Sequence, residues 1–142
     1  MQEVRPEEAI EQILATDTRY HRDAYIFVRE ALDFTQKLIA KENSKGLRHV
    51  SGQELLDGIR QFALTQFGPM TGTVLAEWGV TNCLDFGNIV FNMVEARLLA
   101  KEEKDSRQDF AGGYLFDDAF RKPFLPSRKL RSETAGHVAK PA

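Results

Sequence analysis

The 142-residue sequence has one cysteine, Cys83, so no internal disulfide can staple it, and such scarcity fits a reducing compartment. It also lacks any apolar run near the roughly 18–20 residues that cross a bilayer. Its opening residues, MQEVRPEEAIEQ, are acidic and carry no apolar stretch of the kind that marks a secretory signal. These absences set the expectation of a cytoplasmic protein without membrane contact. Histidine is scarce as well. His21, His49 and His137 are far apart, and none has a second histidine or a cysteine at ligand spacing, so no metal site is expected. No GxSxG elbow surrounds Ser44, Ser51 or Ser106. Gly68, Gly72 and Gly79 form neither GxGxxG nor a Walker-type loop, so no nucleotide or other cofactor is expected. No catalytic residue is assigned, and the balance leans away from an enzyme.

Charge is the next thing in short supply, but only as a net value. The formal charge is −2, yet residues 121–142 hold six basic residues against the single acid Glu133. The preceding body is therefore acidic and the end basic. An acidic body repels a phosphate backbone, which disfavours nucleic acid as a partner of the body.

What is present is helical periodicity. Pro6, followed by Glu7 and Glu8, can open a short first helix with Ile10, Ile13 and Leu14 on its apolar stripe, ending near Thr16 to Thr18. A long second helix runs from about Arg22 to Lys41. Ala24, Phe27, Val28, Ala31, Leu32, Leu38 and Ile39 recur there at three- and four-residue spacing, leaving Glu30, Gln36 and Lys37 for the wet face. Ser51-Gly-Gln-Glu54 has the pattern of a capping box and opens a third helix, which Gly68-Pro69 closes. A short fourth helix places Met70, Val74, Leu75 and Trp78 on one side. Its geometry puts the indole of Trp78 against the next helix, near Phe86 or Ile89. Asn82, with Asp85 in the first turn, caps a fifth helix that runs to about Arg97.

The segment from Leu98 to Tyr114 reads as a strand, a long turn and a second strand. The expected fold is mainly α: a compact helical domain of about five helices over residues 1–122, followed by a disordered basic tail over 123–142. Two arrangements fit this order. One is a winged-helix-like unit over 51–116 with a short C-terminal β-hairpin as its wing. The other is a plain helical bundle with an irregular arm.

The candidate chemistry is thin. Arg48 and His49 lie just before a helix N-terminus, which suggests an anion- or partner-contacting corner. Arg107, between Asp105 and Asp109, could hold a phosphate from a wing, although aspartates more often stabilise turns at such positions. Cys83 starts a helix, where the dipole could lower its pKa; the plainer reading is a small semi-buried residue. The fifth helix has no lysine or arginine between Asn82 and Ala96. Asn88 and Asn92, four residues apart, could pair with adenine edges but would have no cations beside them. Tyr25, Phe34, Phe91 and Phe110 exceed what the apolar stripes need and are candidate exposed contacts.

The stretches Arg48 to Met70 (RHVSGQELLDGIRQFALTQFGPM) and Trp78 to Phe120 (WGVTNCLDFGNIVFNMVEARLLAKEEKDSRQDFAGGYLFDDAF) resemble an uncharacterised bacterial protein family found mainly in planctomycetes and verrucomicrobia. Asp23 to Thr35 (DAYIFVREALDFT) is similar to its N-terminal segment. The resemblance spans roughly residues 10–120 and implies one small domain with a divergent tail. It implies no activity and brings no functional residue with it.

These readings favour a non-enzymatic protein-interaction or adaptor module with a protein partner, self-association through an aromatic face being one form of it. The alternatives are a winged-helix-like nucleic-acid-associated regulator acting through its basic tail, and an enzyme whose site assembles from dispersed polar residues.

Overall fold

The computed structural model describes residues 5–43 and 49–126. It is mainly helical, with five α-helices and no strand among the described residues: α1 (Pro6–Thr16), α2 (Arg22–Asn43), α3 (Gly52–Phe67), α4 (Thr71–Glu77) and α5 (Cys83–Glu95). None of these helices is long and apolar enough to cross a membrane. Short 3-10 turns follow at Gly68–Met70, Arg107–Phe110 and Lys122–Phe124, with a single π turn at Asp117–Arg121.

The helix starts follow from local chemistry. The Ser51 hydroxyl accepts the Glu54 amide at 3.2 Å, while the Glu54 carboxylate accepts the Ser51 amide at 3.0 Å, satisfying donors that the first turn of α3 would leave unpaired. Asn82 and Asp85 do the same for α5. Pro6 occupies the first turn of α1, where its missing N–H costs nothing.

The long helices α2 and α3 pack most extensively against each other, and Gly58 lets them close. A Cβ placed on Gly58 would lie 1.7 Å from Thr35 Oγ1. Thr35 is buried and returns its hydroxyl proton to the Ala31 carbonyl at 2.7 Å, which makes a polar residue tolerable in that contact. Helix α5 packs on α2, α1 and the 107–110 turn. Its Phe86, Ile89 and Met93 are fully buried, with Leu56 and Ile59 of α3 in the same core.

Several expectations are corrected. Residues 98–114 form turns and a 3-10 helix, not a hairpin, so no β-wing exists there. Asp105 Oδ2 accepts the Glu102 amide at 2.8 Å and Asp109 Oδ2 the Ser106 amide at 2.9 Å. Such side-chain bonds bind the backbone donors that a strand ladder would need. Trp78 lies against Phe27 of α2 and Phe67 of α3, with ring centroids 5.5 and 5.7 Å away, partners that the sequence reading did not name. Gly79, at φ +85°, reverses the chain so that Val80 takes the buried position beneath Leu75. Met70 is 56% exposed and does not join that apolar side. The tail expectation falls mostly on residues 127–142, which lie outside the described residues; its first residues, Pro123 and Phe124, belong to a helical turn.

Candidate functional site

A half-enclosed cavity of about 360 Å³ lies between α2, the start of α3, α5 and the 98–110 segment. Leu32 comes from α2, Leu55 from α3, and Val90 and Val94 from α5; Leu98 and Leu99 close it from the strap that follows. These positions share one cause: apolar residues at helical spacing face the centre, while the strap crosses over a gap that the helices do not fill.

Phe110 forms one wall and is 3% exposed. Its ring sits in a saddle of two glycines. A Cβ on Gly87 of α5 would meet Phe110 Cβ at 2.9 Å, and one on Gly52 of α3 would meet its Cε1 at 3.2 Å. Glycine at both sites is therefore what admits the ring. Gln53 Nε2 donates to the Asp109 carbonyl at 2.5 Å, adding a polar tie between α3 and the strap.

His49 and Asp105 meet at the cavity wall, with Nε2 and Oδ2 2.6 Å apart. Burial raises the pKa of Asp105, but the Glu102 amide, His49 and Lys104 together hold it below its ordinary value. The pair thus links the segment before α3 to the strap, 56 residues later in the chain.

The other candidates separate. Arg107 donates to Asn88 Oδ1 at 3.1 Å, lies 3.8 Å from Glu95, and stacks over Phe91 with 5.7 Å from its guanidinium carbon to the ring centroid. Its charge is thus engaged by α5. Phe91 is half-buried and lines the cavity. Tyr25 is corrected: it is a core residue at 0% exposure, its hydroxyl accepting from Asn92 at 3.1 Å. Phe110 is likewise interior, so neither ring stands exposed as a surface contact. Phe34 is half-buried and pairs with Phe62 at 5.3 Å in a separate open groove. Arg48 lies outside the described residues.

Asn88 and Asn92 are committed internally. Asn88 donates to the Tyr20 hydroxyl at 2.9 Å while accepting from Arg107, and Asn92 donates to Asp17 at 2.9 Å as well as to Tyr25. Cys83 is buried; its thiol pairs with the Tyr114 backbone at 3.3 and 3.4 Å, and burial pushes its pKa up. Among the described residues no three His, Cys, Asp or Glu side chains group to hold a metal ion.

Sequence reasoning missed Gln36, assigned there to the wet face. It lines both the cavity and the groove. The available signal was its position four residues after Leu32 on α2, directly in line with the apolar stripe. No family model, curated protein or solved structure matches this chain.

Proposed function

We propose that this protein is a non-enzymatic interaction module that docks a partner protein on the outer groove of α2 and α3. The observation that carries this reading is the Phe34–Phe62 pair, which lies in an open groove of about 780 Å³ with the exposed Ile26 beside it. Arg29, Glu30, Asp33, Lys37 and Gln66 surround this apolar centre. An apolar centre within a mixed polar rim is the anatomy of many protein-recognition surfaces. Both signs of charge stand on the rim, so a partner with alternating charge suits it better than a polyanion.

A photo-crosslinking amino acid at position 34, introduced in native host cells, tests the reading. The expected result is a discrete adduct that is absent when the same group is placed at the exposed Glu77 of α4. Labelling no stronger at 34 than at 77 would remove this surface as the docking site. An adduct of twice the chain mass would identify the partner as a second copy.

A second reading, catalysis, draws on one observation, the carboxylate-oriented imidazole of His49 beside a cavity. Its weakness is that neither Ser51 nor Cys83, the candidate nucleophiles among the described residues, is poised. The Ser51 hydroxyl is engaged as a helix cap, and the Cys83 thiol faces the Tyr114 backbone.

A further inference from the structure

The cavity under the strap adjoins the docking groove, sharing Leu32, Gln36 and Leu99 with it, and makes a second demand on a ligand. Its body is hydrocarbon, supplied by Leu32, Leu55, Val90, Val94 and Leu99 with the Phe110 ring at one wall. At about 360 Å³ it falls at the lower end of the roughly 300–1,000 Å³ of small-molecule sites.

The charged groups around it already have partners. Asp105 is held by His49 and the Glu102 amide, Asp109 accepts the Ser106 amide, and the Lys101 ammonium reaches the Glu102 carbonyl at 3.4 Å. The Ser51 oxygen accepts the Glu54 amide as a helix cap. Gln36 differs: it lines the cavity where it meets the outer groove, and its amide makes no hydrogen bond with a described residue. The polar group left for a ligand is therefore neutral, able both to donate and to accept.

We propose that this cavity binds a small neutral molecule with an apolar body and one hydrogen-bonding end, its polar end paired with the Gln36 amide. An anionic ligand is disfavoured because it would bring charge beside the Asp105 and Asp109 carboxylates, with His49 already engaged. A charged head would also lose hydration that a single neutral amide cannot replace. The proposal does not depend on the docking reading, since it concerns the purified chain and is read at Leu55, Val90, Val94 and Phe110, which line the cavity but not the groove.

Amide-resolved NMR titration with 3-phenylpropanamide and with 3-phenylpropanoate tests it. The expected result is saturable shifts at Leu55, Val90, Val94 and Phe110 for the amide, with the carboxylate at least about tenfold weaker. Gln36→Leu should weaken the amide by about tenfold, the effect of one lost hydrogen bond. Val94→Phe should abolish binding by filling the space; if that variant does not fold, Gln36→Leu and the carboxylate comparison decide. No saturable shift, equal binding of the carboxylate, or unchanged affinity in Gln36→Leu would overturn the proposal. So would shifts confined to Ile26, Phe62 and Gln66, which would put the probe in the outer groove.

Discussion

Helices α4 and α5 end on the same hydrogen-bond pattern with different residues at its left-handed position. After α4, Val80 donates to the Leu75 carbonyl and Gly79 to that of Ala76; after α5, Leu98 donates to Met93 and Arg97 to Val94. The residue between must take positive φ, and it is Gly79 in one case but Arg97, at φ +68°, in the other. Arg97 carries the steric cost of a Cβ in that region, so Arg97→Gly should raise stability by about 0.5–1 kcal/mol in urea melts. No change would mean that its exposed side chain offsets the strain elsewhere. Gly79→Ala should act in the opposite direction and more strongly. A Cβ there would lie 2.3 Å from the Arg19 carbonyl, where backbone meets backbone and nothing flexible can yield. A loss of about 2–4 kcal/mol is expected, combining strained φ with overpacking. A loss below about 1 kcal/mol would show that the 19–21 segment moves away freely.

At the scale of elements, the contact between α2 and α3 decides the packing, and Gly58 tests it. In an isolated helix Gly→Ala stabilises by about 1 kcal/mol. Here Gly58→Ala forces a methyl into Thr35, so a net loss of about 1–3 kcal/mol is expected by thermal or urea melting. A stabilised Gly58→Ala protein would mean that the helices separate without cost. The helices themselves were legible in the sequence because their signals are local: Ser51 with Glu54, Asn82 with Asp85, Pro6, and the recurring apolar residues of α2. The strap was not. Its Leu98, Leu99 and Phe110, set on either side of a polar stretch, look like two strands and a turn, but its shape comes from Asp105 and Asp109 capturing backbone amides and from a glycine saddle contributed by two distant helices. The candidate site was legible in part. His49, Phe91 and Phe110 do converge on one cavity, whereas nothing local signals that Asp105 meets His49 or that Tyr25 turns inward to Asn92.

Across the whole molecule, α5 is held to the N-terminal segments by polar groups that titrate at opposite ends of the pH scale. Asp17 bonds Arg19 through two nitrogens, at 3.0 and 2.7 Å, and accepts from Asn92 of α5. The Arg19 bonds hold its carboxyl well below the ordinary range, outweighing a burial effect that acts the other way. Asp105 is also depressed, against the pull of burial, by the Glu102 amide and His49. A depressed carboxylate contributes stability that is present above its unfolded pKa of about 4 and is lost as pH falls towards its folded value. Asp17→Asn should therefore lower stability near neutral pH, with the difference from the parent shrinking as pH falls below about 4. Tyr20 governs the other limb. Its hydroxyl donates to Asp85 at 2.6 Å and accepts from Asn88; burial first, and Asp85 next, push its pKa up to about 12. A raised tyrosine stabilises fully below its unfolded value of about 10, and that stabilisation is lost as pH rises through the folded value. Tyr20→Phe should then be less stable than the parent near pH 9, and the gap should narrow between about pH 10 and 12. Urea melts of both variants across the range would read these slopes directly. Curves parallel to the parent at both ends would mean that the Asp17–Asn92 and Tyr20–Asp85 contacts do not carry the attachment of α5, and that apolar packing through Phe86, Ile89 and Met93 holds it without them.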